Sequence, residues 1–153
     1  MNKLKVIQLL PELNVGGVER GTTDFSKALV ENGHESIVIS NGGIFEKDII
    51  EHGGKHINLP IHKKSIFSFL LSKKLKTIYE QEKPDVIHIR SRMPAWINYH
   101  AFKKLKFKPL LISTFHGLYS TPIYSRVMSK VDHMIAISKT VKTYIIETYN
   151  ISE

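Results

Sequence analysis

Short runs of branched apolar residues alternate with longer helical stretches along the whole chain, and this alternation decides most of the fold. Val6-Ile7-Gln8-Leu9-Leu10, Val86-Ile87-His88-Ile89 and Leu110-Leu111-Ile112-Ser113-Thr114 are near-continuous apolar strands, the pattern of strands buried on both sides. Strand, helix and strand in repeated succession imply right-handed crossovers and a parallel sheet covered on both faces. The expected fold is doubly wound α/β: a Rossmann-like parallel sheet of about six strands with helices on both faces, in one domain over residues 1–153.

Boundaries follow from caps and breakers. Leu4 to Leu10 reads as the first strand, closed by Pro11, and Asn14-Val15-Gly16-Gly17 as a loop. Val18 to Asn32 is a helix with Phe25, Ala28 and Leu29 at helical spacing, ended by Gly33 as a left-handed cap. Glu35 to Ser40 is the second strand, followed by Asn41-Gly42-Gly43 and a short helix near Phe45 to Glu51. His56 to Leu59 is a third strand stopped by Pro60, and Ser65 to Glu82 a long basic helix. The remaining strands are Asp85 to Arg90, Leu110 to Phe115 and Val131 to Ile137. Helices fill the gaps at Ala95 to Leu105 and from the Ser138 cap to about Tyr149.

Composition narrows the class. With 153 residues, 42% of them hydrophobic, the chain can bury one sizeable core. It has no cysteine, which excludes a disulfide framework and a thiolate zinc site and fits a reducing, cytoplasmic setting. The apolar run Val6 to Leu10 is too short for a signal peptide or a membrane span. The net charge of +8 is concentrated: residues 63–108 carry twelve Lys and Arg against three acids. A basic surface of this kind suits an anionic partner, whether a membrane surface, a phosphorylated glycolipid or nucleic acid. On the helix from Ser65 to Glu82, Phe67, Leu70, Leu71, Leu75 and Ile78 line one face. Lys73, Lys74 and Lys76 lie off that face and Phe69 outside the main stripe: this is either a core-facing helix with a solvated basic face or one that meets an anionic membrane with Phe69 near the lipid.

Ligands of open parallel sheets bind beyond the carboxyl ends of the strands, at the switch in strand order. Four strand ends deliver suitable groups there. After the first come Gly16 and Gly17, then Glu19 and Arg20. Arg90 and Arg92 follow the fourth, His116 and Gly117 the fifth, and Ser138 and Lys139 the last. Glycines let backbone N–H groups approach a diphosphate at a helix N-terminus, or else make a tight turn that needs positive φ. The spacing matches neither the dinucleotide fingerprint nor the P-loop. Arg90 and Arg92 can clamp an anion, or be solvated surface charges. His116 can bond a sugar hydroxyl, or only cap its turn. Ser138 is most simply an N-cap. His52 and His56 are separated by Gly53 and Gly54, which argues against a metal site.

Asn14-Val15-Gly16-Gly17-Val18-Glu19-Arg20 resembles the N-terminal glycine loop of GT-B glycosyltransferases of family 4. His88-Ile89-Arg90-Ser91-Arg92-Met93-Pro94-Ala95-Trp96 is similar to a segment of the lipopolysaccharide-type branch. Ser113-Thr114-Phe115-His116-Gly117 and Ile135-Ala136-Ile137-Ser138-Lys139 resemble two further signatures, in the expected order. The resemblance implies the N-terminal, acceptor-side half of a GT-B fold. It implies retaining, metal-independent transfer from a nucleotide sugar, as co-substrate, to a lipid-linked saccharide such as lipopolysaccharide or another cell-envelope glycan. It also implies that the loop of Gly16 and Gly17 lies against the donor diphosphate and that His116, by the transferred sugar, is catalytic. The family's E-x7-E donor-sugar motif has no counterpart here, because no two glutamates have that spacing. The expectation is a chain without the C-terminal donor-binding domain, inactive alone, and either cytoplasmic or peripheral on the inner face of the cytoplasmic membrane. The competing reading is a non-catalytic Rossmann-like module that binds an anionic partner through its basic middle third. Nucleic acid is the less expected partner, because basic residues and aromatics interleave only over residues 63–76.

Overall fold

The structure, a computed structural model, describes residues 2–62 and 68–152, with side chains described at 2–62 and 70–152. Six strands form one sheet: β1 (Lys5–Leu9), β2 (Glu35–Ser40), β3 (Lys55–Asn58), β4 (Val86–Ile89), β5 (Leu110–Phe115) and β6 (His133–Ala136). Their order is β3-β2-β1-β4-β5-β6 and every pairing is parallel. The helices are α1 (Gly17–Glu31), α2 (Glu46–Glu51), α3 (Ser68–Glu82), α4 (Arg92–Phe102), α5 (Pro122–Ser125) and α6 (Lys139–Tyr149). The chain winds outward from β1 to β3, returns through α3 to β4, and winds outward the other way. Right-handed crossovers therefore put α1 and α2 on one face of the sheet and α3 and α4 on the other.

Side chains alternate between these faces with period two. Ile7, Leu9, Ile37, Ile39, Ile87, Ile89 and Phe115 meet Leu75, Tyr79, Ala95 and Ile97 in the main core. A smaller cluster of Leu10, Leu13, Val38 and Ile49 lies under α2. The buried residues of α1 are Thr22, Thr23, Ser26 and Leu29, whereas Phe25 and Ala28 are exposed. This departs from the apolar stripe expected of that helix. Small hydroxyl side chains can lie against the sheet because each finds a partner. Thr22 and Thr23 donate to the carbonyls of Val18 and Glu19 at 2.7 and 3.0 Å, and Ser26 shares a 2.7 Å hydrogen bond with Ser36.

Other elements refine the sequence reading. On α3 the buried stripe runs through Leu71, Leu75, Ile78 and Tyr79, and Leu70 turns outward. Residues 65–67 of the expected helix, Phe67 included, lie outside the described residues, as does the side chain of Phe69. Helix α4 starts at Arg92 rather than Ala95. Pro94 sits in its first turn, where the missing N–H has no helical partner to lose. Helix α5 and the 3₁₀ turn Arg126–Ser129 were not legible as helices. Gly33, at φ +80°, ends α1 as expected. Ser138 caps α6, its Oγ accepting from the Val141 N–H at 3.2 Å.

Candidate functional site

The strand order reverses between β1 and β4, so the loops after these strands flank the crevice where such a sheet takes ligands. The loop after β1 is held from below by the loop after β2. Asn41 donates to Pro11 at 3.0 Å, Leu13 to the Gly42 carbonyl at 2.8 Å, and Phe45 to the Leu13 carbonyl at 3.0 Å. Gly43 makes this contact possible: at φ +147°, a Cβ there would lie 2.6 Å from Leu13 O and 2.8 Å from Asn14 N. Behind it, His56 links Ser40 Oγ at 2.9 Å and Glu46 Oε1 at 3.1 Å, fixing both ends of the turn.

Gly16 and Gly17 are different. Gly16 is extended, at φ 171°, and Gly17 is not left-handed either, so backbone strain does not require glycine at either position. A Cβ on Gly17 would meet nothing within 4 Å, and one on Gly16 would meet only the end of the Glu19 side chain. The space beside Gly17 at the N-terminus of α1 is therefore open, while the Glu19 carboxylate lies over Gly16 at the positive end of the helix, so an anion seated there has to displace it. Arg20 is exposed, its guanidinium 4.6 Å from the centroid of Phe45.

Across the switch lies a buried polar row on the α1 face of the sheet. Arg90 is only 8% exposed, and among the described residues no carboxylate comes within 4 Å of it. Its Nε donates to Gln8 Oε1 at 2.8 Å, and Gln8 Nε2 donates to the Thr22 carbonyl at 3.2 Å. Burial lowers the Arg90 pKa to about 10, so the guanidinium stays charged at neutral pH. His88 Nε2 and Thr114 Oγ1 share a 2.7 Å hydrogen bond. Burial first, then the charges of Arg90 and His116, pushes the His88 pKa down to about 3. His116, at the end of β5, has its pKa lowered by burial and then by Arg90, and its buried Nε2 has no hydrogen-bond partner. A neutral imidazole with an unpaired, buried ring nitrogen thus lies in the wall of the hollow that Arg90 also lines. A largely apolar hollow of about 490 Å³ runs along this face of the sheet, from Arg90 and His116 down to Leu4, His34 and Val86 at the other end of the strands. Gln8, His88 and Thr114 were not among the site residues expected from the sequence; their strand positions, two residues apart from others facing the same way, were the available signal.

Arg92 does not join Arg90. Its Nη1 donates to Thr121 Oγ1 at 3.0 Å and Ser125 Oγ at 3.5 Å, and its guanidinium lies 4.8 and 5.6 Å from the rings of Tyr119 and Tyr124. It ties α4 to the segment after β5 that carries Gly117. Ser138 and Lys139 are exposed at the start of α6, with Ser138 engaged in its cap. Among the described residues no three His, Asp or Glu side chains gather to hold a metal ion. Likewise no helix is long and apolar enough to cross a membrane.

Fold and crevice together define a doubly wound α/β domain with a glycine loop and helix terminus after β1, a buried cation after β4 and a histidine after β5. The chain belongs to Glycosyltransferase Family 4, whose model matches residues 15–153. A glycosyltransferase from Rickettsia africae superposes with a TM-score of 0.84 at 36% identity, over 100% of this chain and 41% of that one. Anabaena HepE, solved with UDP and glucose, superposes with a TM-score of 0.75 at 16% identity, over 98% of this chain and 43% of that one. The second likeness is one of fold. This chain thus spans about two-fifths of the length of these structures. The sheet is one half of a GT-B architecture, as the sequence resemblance implied. No curated protein matches the sequence.

Proposed function

We propose that this domain forms the acceptor side of a retaining glycosyltransferase that moves a sugar from a nucleotide-sugar donor to a lipid-linked saccharide, lipopolysaccharide or another envelope glycan. The observation that carries the reading is the pairing of a buried Arg90 that has no carboxylate, at the strand-order switch, with an unpartnered His116 Nε2 at the end of the neighbouring β5. A buried cation without a counterion favours an incoming anion. In this reading the donor diphosphate lies against the N-terminus of α1 at Gly16 and Gly17, within the field of Arg90. His116 supports charge developing on the transferred sugar, and no metal ion is needed. That a structural relative was solved with UDP and glucose supports the donor class. Soluble donor and lipid-linked acceptor meet at the inner face of the cytoplasmic membrane. The exposed Lys73 and Lys74 of α3 suit peripheral binding there.

The test is a fusion of residues 1–153 to the portion of the Rickettsia africae relative that lies beyond the match. Transfer of sugar from a nucleotide sugar with retained anomeric configuration, absent from the 153-residue polypeptide alone, is the expected result. Inverted product, or turnover by the polypeptide by itself, would sink the proposal.

A further inference from the structure

On the opposite edge of the sheet, where β5 begins, α4, the segment before β5 and the end of the 3₁₀ turn enclose a second hollow of about 630 Å³. Its lining includes Lys103 just past α4, Lys108 before β5 and Lys130 just past the 3₁₀ turn. Lys103 Nζ lies 4.2 Å and Lys130 Nζ 4.7 Å from the centroid of the same ring, Tyr99, and Lys130 Nζ donates to the Tyr99 hydroxyl at 3.5 Å. Elsewhere on the described surface lysines are commonly paired: Lys3 and Lys5 with Glu35, Lys27 with Glu31, Lys47 with Glu51, Lys76 with Glu80. Here, among the described residues, no carboxylate comes within 4 Å of any of the three. The one acid in the wall, Asp132, accepts from the Leu111 N–H at 2.8 Å.

Two ammonium groups held to one ring repel each other, and the ring face offsets part of that cost. An anion seated between them removes the rest. The Tyr99 hydroxyl adds a donor, and hydrogen bonding to Lys103, then to Lys130, already lowers its pKa. The floor includes Phe102 and Pro109, which gives an anion borne on an apolar body a surface to cover. About five residues of strand, or roughly 16 Å, separate this hollow from His116 at the far end of β5, so it is not part of the crevice described above.

We propose that this hollow binds a phosphate group, with Lys103, Lys130 and the Tyr99 hydroxyl as its direct contacts and Lys108 at its rim. The phosphate is either free in solution or the headgroup of an anionic lipid. The test titrates the isotopically labelled 153-residue chain with inorganic phosphate in one arm. In the other it uses vesicles of phosphatidylglycerol, with phosphatidylcholine vesicles as control. Expected are shifts centred on the Tyr99 ring and the Lys103 and Lys130 side chains, a rise in the Tyr99 pKa as the ammonium charges are neutralised, and a loss of affinity of about tenfold or more in Lys103→Gln/Lys130→Gln. Both substitutions are on exposed side chains, and unchanged resonances in the main core will show that the variant folds. A response to inorganic phosphate makes the site one for soluble phosphates; a response to phosphatidylglycerol vesicles alone makes it a headgroup site. No response in either arm, equal response to phosphatidylcholine, or shifts that persist in the double variant would each overturn the proposal.

Discussion

Arg90 Nε donates to Gln8 Oε1 at 2.8 Å across the junction of β1 and β4, so a neutral amide, not a carboxylate, holds the buried cation of the crevice. An amide orients the guanidinium without neutralising it, which leaves its charge for an anion. Removal of this acceptor in Gln8→Ala leaves a buried charged donor unpaired and is expected to cost about 2 to 3 kcal/mol in chemical denaturation. Gln8→Glu separates the two roles: it keeps the contact but supplies the missing negative charge. Stability below the parent's, because the buried Thr22 carbonyl loses its Nε2 donor and faces a carboxylate oxygen, with pyrophosphate binding to the chain weakened at least tenfold, is the expected outcome. Unweakened binding would show that the Arg90 charge serves no anionic ligand.

Two glycines that follow neighbouring strands, Gly43 after β2 and Gly17 after β1, should behave oppositely. Gly43→Ala forces a side chain onto a left-handed backbone and against Leu13 and Asn14, and is expected to destabilise the fold by about 2 kcal/mol or more. Gly17→Ala meets no atom and adds a helix former, so stability should hold or rise by about 0.5 kcal/mol. Its methyl group instead occupies the space over the helix terminus and should weaken pyrophosphate binding. Thermal unfolding beside a pyrophosphate titration separates the two, and unaltered binding by Gly17→Ala would remove the glycine loop as a phosphate seat.

The Ser40–His56–Glu46 chain has the connectivity of a hydrolytic triad, yet Ser40 is fully buried and its Oγ also accepts from Gly42 N–H at 3.1 Å. A nucleophile needs an approach path, and this hydroxyl has none. Ser40 should remain unlabelled by a fluorophosphonate probe in the folded chain. Ser40→Ala should cost about 1 to 2 kcal/mol, because it leaves a buried N–H and an imidazole short of a partner. Labelling of Ser40 under native conditions would contradict this.

His88 sets an acid limit on the fold. Its folded pKa of about 3 lies below the unfolded value of 6.5, so between these the unfolded chain binds more protons. The stability it contributes is complete above about pH 6.5 and is lost as pH falls towards 3, at about 1.4 kcal/mol per pH unit for one such group. His116, shifted the same way, adds to the slope. Denaturant midpoints at pH 7, 5.5 and 4.5 should fall steeply for the parent and less steeply for His88→Gln, whose amide can still reach Thr114. Parallel slopes would remove His88 as the cause.

The sheet was legible because its strands are buried on both faces and read as continuous apolar runs. Strand ends then placed Gly16, Arg90 and His116 at one edge without further information. What escaped has physical reasons. Thr22, Thr23 and Ser26 look polar in a helical pattern, but back-bonding to carbonyls and to Ser36 lets them pack, so the period of apolar residues misplaced the inner face of α1. The stretch Pro122 to Ser129 is too short to show a helical period. The turning of Arg92 towards Tyr119 and Tyr124 depends on a long-range meeting of α4 and α5 that no local pattern encodes.

His116 carries the functional claim, and the structure sharpens its test. His116 Nε2 is buried and gives no hydrogen bond to the rest of the chain. Its loss should therefore leave stability within about 1 kcal/mol, since no protein hydrogen bond is given up at that atom. In the fusion enzyme, His116→Ala should lower turnover by roughly 30- to 1,000-fold, the equivalent of about 2 to 4 kcal/mol of transition-state stabilisation. Because burial and Arg90 lower its pKa, the neutral imidazole persists below the ordinary histidine range. Turnover of the parent should thus stay level as pH drops through 6.5 and decline only at lower pH. Kinetics and thermal unfolding on the same preparations decide the matter: normal turnover with a clearly lowered melting temperature would make His116 a structural residue and leave Arg90 alone at the edge.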